Sequence, residues 1–578
     1  MSVSSGDVQA TFCATVVDEW IRAGVAHAVV CPGSRSTPLV LALADREEVA
    51  VHVRLDERGA CFYAIGLSLA TGTPAVVVTT SGTAAAELHA GILEASHAGI
   101  PLIVCTADRP ARLHHVGAPQ TVEQANLFAG AVRWSFEPGL AHGSGDDWWR
   151  SVGARAVAEA VVGAGPVHLN LAFDEPLFGQ AGPLPPGRPD GTGWHRVSQG
   201  TGAHLDAAGL IDLWRRPGVI VAGGSAAPGE LLAVADHLGW PVLADPRSGL
   251  RLDHRAVVAA ADAILRDAEV ADALAPQAVL IVGDPWASRV LAEFIGSAGR
   301  SGAEVVAVDP PSWTDPARVV HHVIRGDRGE FLASLVAQPV VAAPGWRPRW
   351  ERVEAAAQGA IDQILALDPL TAGGRTTEPG TLRHLSLVLE STTMLFVSSS
   401  MPVRDLEWYG VTRAHPPTVL ANRGANGIDG VTSSALGVAA GGDRPVVAVL
   451  GDLAFLHDAS ALVSLGDDRG SCTVVVLDNG GGGIFSFLPQ AEALAHERFE
   501  RLFATPPKAS VSAVARGFGW PVADVSTFLG LDDALKRFVG QEPRSVIRVE
   551  VPSRADNLAL HGRIHAAVAE AVRAALEE

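Results

Sequence analysis

Two apolar segments in the C-terminal third of the sequence each end in a side chain that can bind a metal ion. One ends in Gly451-Asp452 and the next in Asp478-Asn479, which four glycines follow. Asp452 and Asn479 are 27 residues apart, about one strand–helix–strand unit, so neighbouring strand ends would place them side by side. A carboxylate, an amide oxygen and a backbone carbonyl suit Mg²⁺, and glycines let the backbone approach a phosphate closely. The alternative is two ordinary polar loop ends, although the glycine run weakens that explanation.

A second group of polar residues lies in the N-terminal third. Glu57 follows an extended segment, where a carboxyl group shielded from water would have a raised pKa. The alternative for Glu57 is a surface ion pair with Arg54 or Arg58. A polar loop further along opens a helix-like stretch, whose first N–H groups offer a site for an anion or a polar ligand. The residues of this loop are Thr80, Ser81 and Gly82.

The elements that must position these residues form a repeated strand–helix pattern. Near-continuous apolar strands alternating with helices indicate parallel sheets covered on both faces. The predicted fold is α/β, with three doubly wound parallel-sheet domains spanning residues 1–182, 200–338 and 350–578, separated by Pro/Gly-rich linkers. In such sheets, ligands bind beyond the carboxyl ends of the strands. The predicted strands are 26–31, 75–79, 101–106 and 166–171, then 218–222, 241–244, 278–282 and 304–308, then 393–398, 445–450, 473–477 and 545–551.

Composition excludes several classes of protein. The chain has 578 residues, a formal net charge of −19, 48% hydrophobic residues and 19% charged residues, which argues against a disordered chain and against a nucleic-acid binder. No uninterrupted apolar run is long enough for a membrane span. The five cysteines are scattered, without C-x-x-C spacing, and predict buried thiols in a reducing cytoplasm.

The lysine count excludes further mechanisms. Only Lys508 and Lys536 are present, and neither follows a Gly-rich phosphate loop, so the sequence has no Walker A motif. Both resemble solvated surface residues, which makes Schiff-base chemistry a poor candidate. Arginine supplies the other 42 of the 44 basic residues, so only the placement of an arginine, and not its identity, is informative.

Several long motifs, in order between about residues 10 and 570, resemble one family of thiamine-diphosphate enzymes. The Gly451-Asp452 and Asn479 pair resembles the general cofactor motif of that superfamily. The longer motifs resemble the 2-succinyl-5-enolpyruvyl-6-hydroxy-3-cyclohexene-1-carboxylate synthase family of menaquinone biosynthesis. They are Cys31-Pro32-Gly33-Ser34-Arg35-Ser36-Thr37-Pro38, Thr106-Ala107-Asp108-Arg109-Pro110, Gly117-Ala118-Pro119-Gln120-Thr121, Ser399-Ser400-Met401-Pro402-Val403-Arg404, Asn422-Arg423-Gly424-Ala425-Asn426-Gly427-Ile428-Asp429-Gly430 and Gly451-Asp452-Leu453-Ala454-Phe455-Leu456-His457-Asp458.

The resemblance implies a transferase that decarboxylates 2-oxoglutarate and adds the resulting succinyl carbanion to isochorismate in a 1,4-addition, with loss of CO₂. It implies thiamine diphosphate and Mg²⁺, with Mn²⁺ as a possible substitute, as cofactors. It also implies an N-terminal domain that binds the pyrimidine ring and a C-terminal domain that binds the diphosphate and the metal. Because these domains meet across subunits in the family, the expected assembly is at least a homodimer and could be a homotetramer, a dimer of dimers, in the cytoplasm.

The resemblance also assigns residues. Asp452, Asn479 and the carbonyl of Gly481 should bind the metal, and Glu57 should tautomerise the pyrimidine. Ile428 should be an apolar wedge under the bent cofactor, or else ordinary packing. The full cofactor set is Glu57, Thr80, Ser81, Gly82, Ile428, Gly451, Asp452, Leu453, Asn479, Gly481 and Ile484.

Both substrates carry two carboxylates, which the planar fork of arginine matches. Arg404 and Arg423 are therefore catalytic candidates beside Glu57, and Arg289 is a weaker candidate in the middle domain. Ser34, Gln120 and Ser400 could instead be cap or turn residues, and Ile484 and Phe485 could be core. The substrate set is Ser34, Arg35, Arg109, Gln120, Arg289, Ser400, Arg404, Arg423, Ile484 and Phe485.

Two other functions stay open at the level of sequence. One is another thiamine enzyme, such as an acetolactate synthase or a keto-acid decarboxylase, although several arginines near the site argue against small monocarboxylate substrates. The other is a catalytically silent assembly or regulatory subunit, against which the joint presence of Glu57, Asp452 and Asn479 argues.

Overall fold

The computed structural model describes residues 4–577, except 144–147, 198–206, 225–227, 285–286, 309–314 and 467–468. The predicted start of the central domain at residue 200 lies outside the described residues. Three six-stranded sheets are present, and every strand pair in them is parallel. The predicted α/β fold class, with three parallel-sheet domains, is confirmed.

The first sheet has the strand order β2-β1-β3-β4-β6-β5. Strands β3 and β4 are buried along their whole length because helices cover the sheet, as the continuous apolar runs predict. The elements are α1 (Ser5–Arg22), β1 (His27–Val30), α2 (Thr37–Ala44), β2 (Ala50–Val53), α3 (Glu57–Thr71), β3 (Ala75–Thr79), α4 (Thr83–Glu87), α5 (His89–Ala98), β4 (Leu102–Asp108), β5 (Trp134–Phe136), α6 (Trp148–Val162) and β6 (Pro166–Ala172).

The second sheet has a different order, β12-β11-β10-β7-β8-β9, which is the strand order of dinucleotide-binding folds. Its elements are α7 (Ile211–Trp214), β7 (Gly218–Ala222), α8 (Pro228–Leu238), β8 (Val242–Ala244), β9 (Val257–Val258), α9 (Ala261–Leu265), α10 (Ala268–Ala273), β10 (Ala278–Val282), α11 (Arg289–Arg300), β11 (Glu304–Val308), β12 (His322–Ile324) and α12 (Arg328–Val336).

The third sheet, β14-β13-β15-β16-β18-β17, repeats the strand order of the first. The order reverses between β13 and β15, and a crevice is expected at such a switch point. Its elements are α13 (Trp346–Leu367), α14 (Glu378–Val388), β13 (Met394–Val397), α15 (Met401–Tyr409), β14 (Thr418–Leu420), α16 (Val431–Gly441), β15 (Val446–Gly451), α17 (Asp452–His457), β16 (Cys472–Asp478), α18 (Gln490–Ala493), α19 (His496–Phe499), α20 (Val511–Gly517), β17 (Val522–Val525), α21 (Phe528–Phe538), β18 (Arg544–Glu550) and α22 (Arg554–Glu577).

Helices α3 and α16 join the first and third domains at very short range. A Cβ added to Gly66 of α3 would lie 2.0 Å from the main-chain oxygen of Ser434. A Cβ added to Gly437 of α16 would lie 2.0 Å from the main-chain oxygen of Tyr63. Only glycine permits this approach. The contact holds the N-terminus of α3, where Glu57 lies, against the third domain.

Two long helices, α13 and α22, pack against the middle domain as well as the third. Trp350 of α13 and Ile564 of α22 belong to the same buried cluster as the strands of the second sheet. The core of the middle sheet therefore extends to these helices, whereas the strands of the third sheet belong to two other buried clusters. All five cysteines are buried free thiols, as predicted. Among the described residues, no helix combines the length and the apolar character that crossing a bilayer requires.

Candidate active site

The carboxyl ends of β15 and β16 bring Asp452 and Asn479 onto the same edge of the third sheet. Gly451 pairs with Leu477 across these two strands, so each polar residue follows one of two adjacent strands. The Asp452 carboxylate is buried and accepts the N–H groups of Leu453 and Gly481, both at 2.7 Å. Burial raises the pKa of Asp452 to about 6, although these two hydrogen bonds favour its charged form.

Asn479 has one end of its side-chain amide satisfied and the other end open. Its Nδ2 donates to Oε1 of Glu378 over 2.9 Å. Its Oδ1 is buried and has no hydrogen-bond partner within the described part of the chain. A buried amide oxygen left without a partner is costly unless a ligand completes it. Beside the Asp452 carboxylate, that oxygen fits the donor set of a hard divalent cation.

Gly481 is held in a backbone conformation that side chains rarely adopt, with φ of 131°. A Cβ at this position would lie 2.3 Å from the main-chain oxygen of Ala504. Its N–H donates to Asp452, and its carbonyl accepts the N–H of Gly483 at 2.9 Å, which leaves the second lone pair of the carbonyl oxygen. Glycine at position 481 is therefore required by close packing of the backbone.

A crevice of about 120 Å³ opens between these strand ends. The predicted site residues that line it all come from the third domain: Ser400, Ile428, Gly451, Asp452, Leu453, Asn479, Gly481, Ile484 and Phe485. Ser398 and Ser399 follow β13, so the crevice lies at the switch point of the sheet. Among the described residues, no side chain of the first domain lines it.

Two of the predicted arginines contact serine residues that line this crevice, Ser399 and Ser400. Arg404, on α15, donates to the main-chain oxygen of Ser400, and Nη1 of Arg423 lies 3.3 Å from the Oγ of Ser399. Burial, followed by the nearby charge of Arg247, lowers the pKa of Arg423 to about 10. Within the described residues, neither Arg404 nor Arg423 forms an ion pair, so both guanidinium groups are left to pair with an anionic ligand.

In the first domain, Glu57 is the first residue of α3, just after the N-cap Asp56. It is half-buried, and burial raises the pKa of its carboxyl, with smaller additions from the charges of Asp56 and Glu87. Within the described part of the chain Glu57 forms no ion pair. Arg58 instead contacts His457 and lies 3.8 Å from Asp56. The structure therefore does not contain the alternative, a surface ion pair of Glu57 with Arg54 or Arg58.

The polar loop after β3 is tied to the Gln120 segment. The Ser81 hydroxyl donates to the main-chain oxygen of Gln120 at 3.0 Å, and Nε2 of Gln120 donates back to the main-chain oxygen of Ser81 at 2.9 Å. Arg109 donates to both Ser81 and Gln120. Gly82, at φ of 85°, donates its N–H to the side chain of Gln124. Ser81, Gly82, Arg109 and Gln120 are thus brought together.

The remaining first-domain predictions lie next to this network. Burial, and to a smaller extent the positive charge of Arg35, lowers the pKa of Arg109. Arg35 also donates to the main-chain oxygen of Phe173 at 3.1 Å. The side chain of Thr80 fills the space beside Gly33, where a Cβ would lie 2.3 Å away, and Ser34 follows in the same turn.

Arg289 lies elsewhere. It is the first residue of α11 in the middle domain, its side chain is 90% exposed, and it pairs with Glu293 at 2.7 Å. It is not among the residues that line the crevice, so its role toward a substrate stays a prediction.

Three residues that the sequence reasoning missed take part in these networks. Glu378 and Gln124 are buried and hold Asn479 and Gly82, respectively. Asn170, on β6, accepts from Gln124 at 2.9 Å. Glu378 follows the N-cap Thr377, so its local sequence indicates a helix start and carries no sign of the contact with Asn479.

Comparisons with known proteins agree with the sites described in the first and third domains. Three family models match: "Thiamine pyrophosphate enzyme, N-terminal TPP binding domain" over residues 11–127, "Middle domain of thiamine pyrophosphate" over 190–397, and "Thiamine pyrophosphate enzyme, C-terminal TPP binding domain" over 407–549. The middle match extends over β13, which pairs in the third sheet.

Similar full-length relatives share one name, 2-succinyl-5-enolpyruvyl-6-hydroxy-3-cyclohexene-1-carboxylate synthase. The relative from Thermobifida fusca is 41% identical, covering 96% of this chain and 98% of its own. Those from Rubrobacter xylanophilus and Geobacillus kaustophilus are 39% and 35% identical, covering 94% and 99% of this chain and 96% and 100% of their own.

Proposed function

Because the chain belongs to the 2-succinyl-5-enolpyruvyl-6-hydroxy-3-cyclohexene-1-carboxylate synthase family of thiamine-diphosphate enzymes, we propose that it catalyses the corresponding step of menaquinone biosynthesis. It decarboxylates 2-oxoglutarate and adds the succinyl carbanion to isochorismate, releasing CO₂. The observation that carries this assignment is one crevice where a metal-ligand set adjoins two guanidinium groups that form no ion pair with any described residue.

The cofactor half of the reaction uses the third domain. Asp452, the open Oδ1 of Asn479 and the carbonyl of Gly481 would hold Mg²⁺, or Mn²⁺ in its place, and the glycine-rich backbone would admit the diphosphate. Ile428 and Ile484 would give the cofactor an apolar surface. Thiamine diphosphate, when bound, supplies the carbon nucleophile and the electron sink that decarboxylation requires.

Glu57 would perform the proton transfer with the pyrimidine ring of the cofactor. Burial raises the pKa of its carboxyl group, which favours the protonated form that would share a proton with a ring nitrogen. Thr80, Ser81 and Gly82 would contact the same end of the cofactor. The Ser81 network with Gln120 fixes this loop, so Glu57 and the loop present a preorganised surface.

The substrates are dianions, and the arginines would neutralise them. Arg404 and Arg423 serve the third-domain crevice, and Arg35 and Arg109 serve the first-domain surface. Loss of neutral CO₂ leaves one carboxylate on the fragment derived from 2-oxoglutarate, and bidentate guanidinium contacts would orient that carboxylate and those of isochorismate. Ser34, Gln120 and Ser400 would add hydrogen bonds, and Ile484 and Phe485 would exclude water.

A complete site is proposed to need two copies of the chain. The crevice of the third domain contains no first-domain side chain among the described residues, so the Glu57 surface of a second copy would close it. The assembly would be a homodimer at least, with a dimer of dimers as the larger form. We place it in the cytoplasm, where five buried thiols would stay reduced.

A combined cofactor and substrate assay tests this function. We expect Mg²⁺-dependent binding of thiamine diphosphate, and CO₂ release from 2-oxoglutarate that forms the addition product only when isochorismate is present. Turnover of pyruvate alone would assign another thiamine enzyme. Absence of cofactor binding would assign a catalytically silent subunit.

A further inference from the structure

The loop of residues 422–430 joins β14 to α16 and carries two predicted site residues, Arg423 and Ile428. The main-chain oxygen of Asn422 accepts the Ser399 hydroxyl at 3.0 Å, which ties the start of the loop to the crevice. The side chain of Arg423 adds only a 3.3 Å hydrogen bond to Ser399, and its buried Nε has no partner in the described part of the chain. Arg423 is therefore poorly held by its own side chain.

Charges of both signs lie near Arg423. Burial, and after it the positive charges of Arg247 and Arg404, lower the pKa of Arg423, while the negative charges of Asp245 and Glu407 partly offset that effect. Within the described residues no ion pair fixes the side chain, so the position of Arg423 depends on the backbone of the 422–430 loop and on the group that contacts that backbone.

Glu94, on α5 of the first domain, makes that contact. Its Oε1 accepts the N–H of Gly424 and its Oε2 accepts the N–H of Ala425, both at 2.7 Å. The Glu94 residue is only 2% exposed. A Cβ at Gly424 would lie 2.2 Å from the main-chain oxygen of Glu94, so the two segments touch through their backbones as well. Charge-assisted hydrogen bonds of this length are among the stronger ones in proteins.

We infer that Glu94 is a positioning residue that holds Arg423 where it meets a substrate carboxylate. The inference rests on the proposed function for the identity of the substrates, but the contact itself does not. A carboxylate suits this task because its two oxygens accept from two successive N–H groups, and no neutral side chain of that size offers two acceptors. The first domain would thus support the third-domain crevice of its own chain through Glu94, besides contributing Glu57 to a site.

The chain contains a matched control for a contact that merely holds domains together. Glu354, on α13, accepts the N–H groups of Ala259 and Ala260, each at 3.1 Å. It forms the same carboxylate-to-backbone pair as Glu94, with a further hydrogen bond from Gln358 at 2.8 Å, but it joins α13 to the middle domain and is not among the residues that line the crevice. Glu354→Gln and Glu94→Gln therefore make the same chemical change in two places.

Steady-state kinetics of the full-length holoenzyme provide the first test. Glutamine keeps one acceptor and turns an NH₂ group toward the second N–H, so one hydrogen bond is lost. For E94Q we expect kcat/KM to fall about tenfold, mainly through a higher KM for one of the two substrates. For E354Q we expect kinetics within about twofold of the wild type. E94Q kinetics equal to those of E354Q would overturn the inference.

A double-mutant cycle separates action through Arg423 from a general structural role. If Glu94 acts by placing Arg423, E94Q should add less than about twofold to the loss already caused by Arg423→Ala. An undiminished E94Q effect in the R423A background would overturn the inference. If E94Q lowers the yield of folded enzyme, Glu94→Asp, which keeps the charge but withdraws it by one methylene, enters the same cycle.

Hydrogen exchange gives a readout that needs no substrate, so it distinguishes failure of this inference from failure of the proposed function. In E94Q, the amides of Gly424 and Ala425 should exchange about tenfold faster than in the wild type or E354Q. Unchanged protection of those two amides would show that Glu94 does not hold the loop, whatever reaction the enzyme catalyses. Inactivity of the wild-type enzyme toward both substrates would refute the function alone.

Discussion

Nδ2 of Asn479 lies 2.9 Å from Oε1 of Glu378, and Oδ1 of the same amide has no hydrogen-bond partner among the residues that the structure describes. An amide that is free to rotate by half a turn would present either its oxygen or its nitrogen to a cation. Burial raises the pKa of Glu378 to about 7, and the ionised carboxylate accepts only from the nitrogen end of the amide. It therefore selects the orientation of Asn479 in which the oxygen is available to a metal, and metal ligands commonly depend on such outer partners.

Replacing Glu378 should weaken the binding of metal and cofactor together. In Glu378→Ala, Asn479 loses its orienting acceptor, and we expect Mg²⁺-dependent binding of thiamine diphosphate to weaken by about 10- to 100-fold. Glu378→Gln is the control, since its Oε1 can still accept from Asn479 and should retain most of the affinity. Calorimetric titration of the apoenzyme measures both variants, and wild-type affinity in E378A would remove Glu378 from this role.

Glu57→Gln should separate activity from stability. The glutamine cannot hold or release the proton, so turnover should fall by about 10²–10⁴-fold while the fold is kept. Product formation under saturating cofactor measures this loss. Wild-type turnover in E57Q would show that another group performs the proton transfer.

The same variant has a pH-dependent effect on stability, whose sign follows from the raised pKa of Glu57. A carboxyl group whose pKa is higher in the folded than in the unfolded state stabilises the fold at pH values below its unfolded pKa of about 4.3. That contribution is lost as the pH rises through the folded pKa. The Tm of apo-E57Q relative to the wild type should therefore increase from pH 4 to pH 8, and a decrease over this range in differential scanning calorimetry would contradict the burial of Glu57.

The two arginines Arg404 and Arg289 should differ sharply when each is replaced by alanine. Arg404 is half-buried beside the crevice without an ion pair in the described residues, and losing it should cost roughly 2–5 kcal/mol in kcat/KM. Arg289 is 90% exposed and paired with Glu293, so its loss should cost much less. Kinetics with each substrate varied in turn make the comparison. An equal cost for R289A would mean that Arg289 reaches the substrate in the working enzyme.

The sequence predicted site residues best where a polar residue directly follows an apolar strand. Asp452 and Asn479 each follow an apolar run directly, and parallel pairing of β15 with β16 brings them together as their spacing predicts. The three-sheet fold also follows from local patterns, because buried parallel strands are apolar on both faces.

Residues whose roles depend on distant partners were not found in this way. Glu378 and Glu94 lie 101 and 330 residues from the groups that they contact. Glu378 has the local pattern of a helix start, and Glu94 that of a charged residue in a short helix. Their burial arises from packing between segments that local periodicity does not describe, so only the three-dimensional structure identifies them.

Mixing two inactive variants tests whether the site is shared between subunits. Glu57→Gln removes the first-domain carboxyl group, and Asp452→Ala removes the third-domain metal ligand. If each site combines Glu57 of one chain with Asp452 of the other, a mixed dimer contains one site with both native residues and one site with neither. Random exchange makes half of the dimers mixed, so about one quarter of the wild-type activity should return. If both residues of a site came from the same chain, every site would lack one of them, and no activity would return.

Co-expression with two different affinity tags isolates the mixed dimer, so that an inactive mixture cannot be attributed to slow exchange. If the doubly tagged dimer is inactive but has the same secondary structure as the wild type by circular dichroism, Glu57 and Asp452 of one chain lie in the same site.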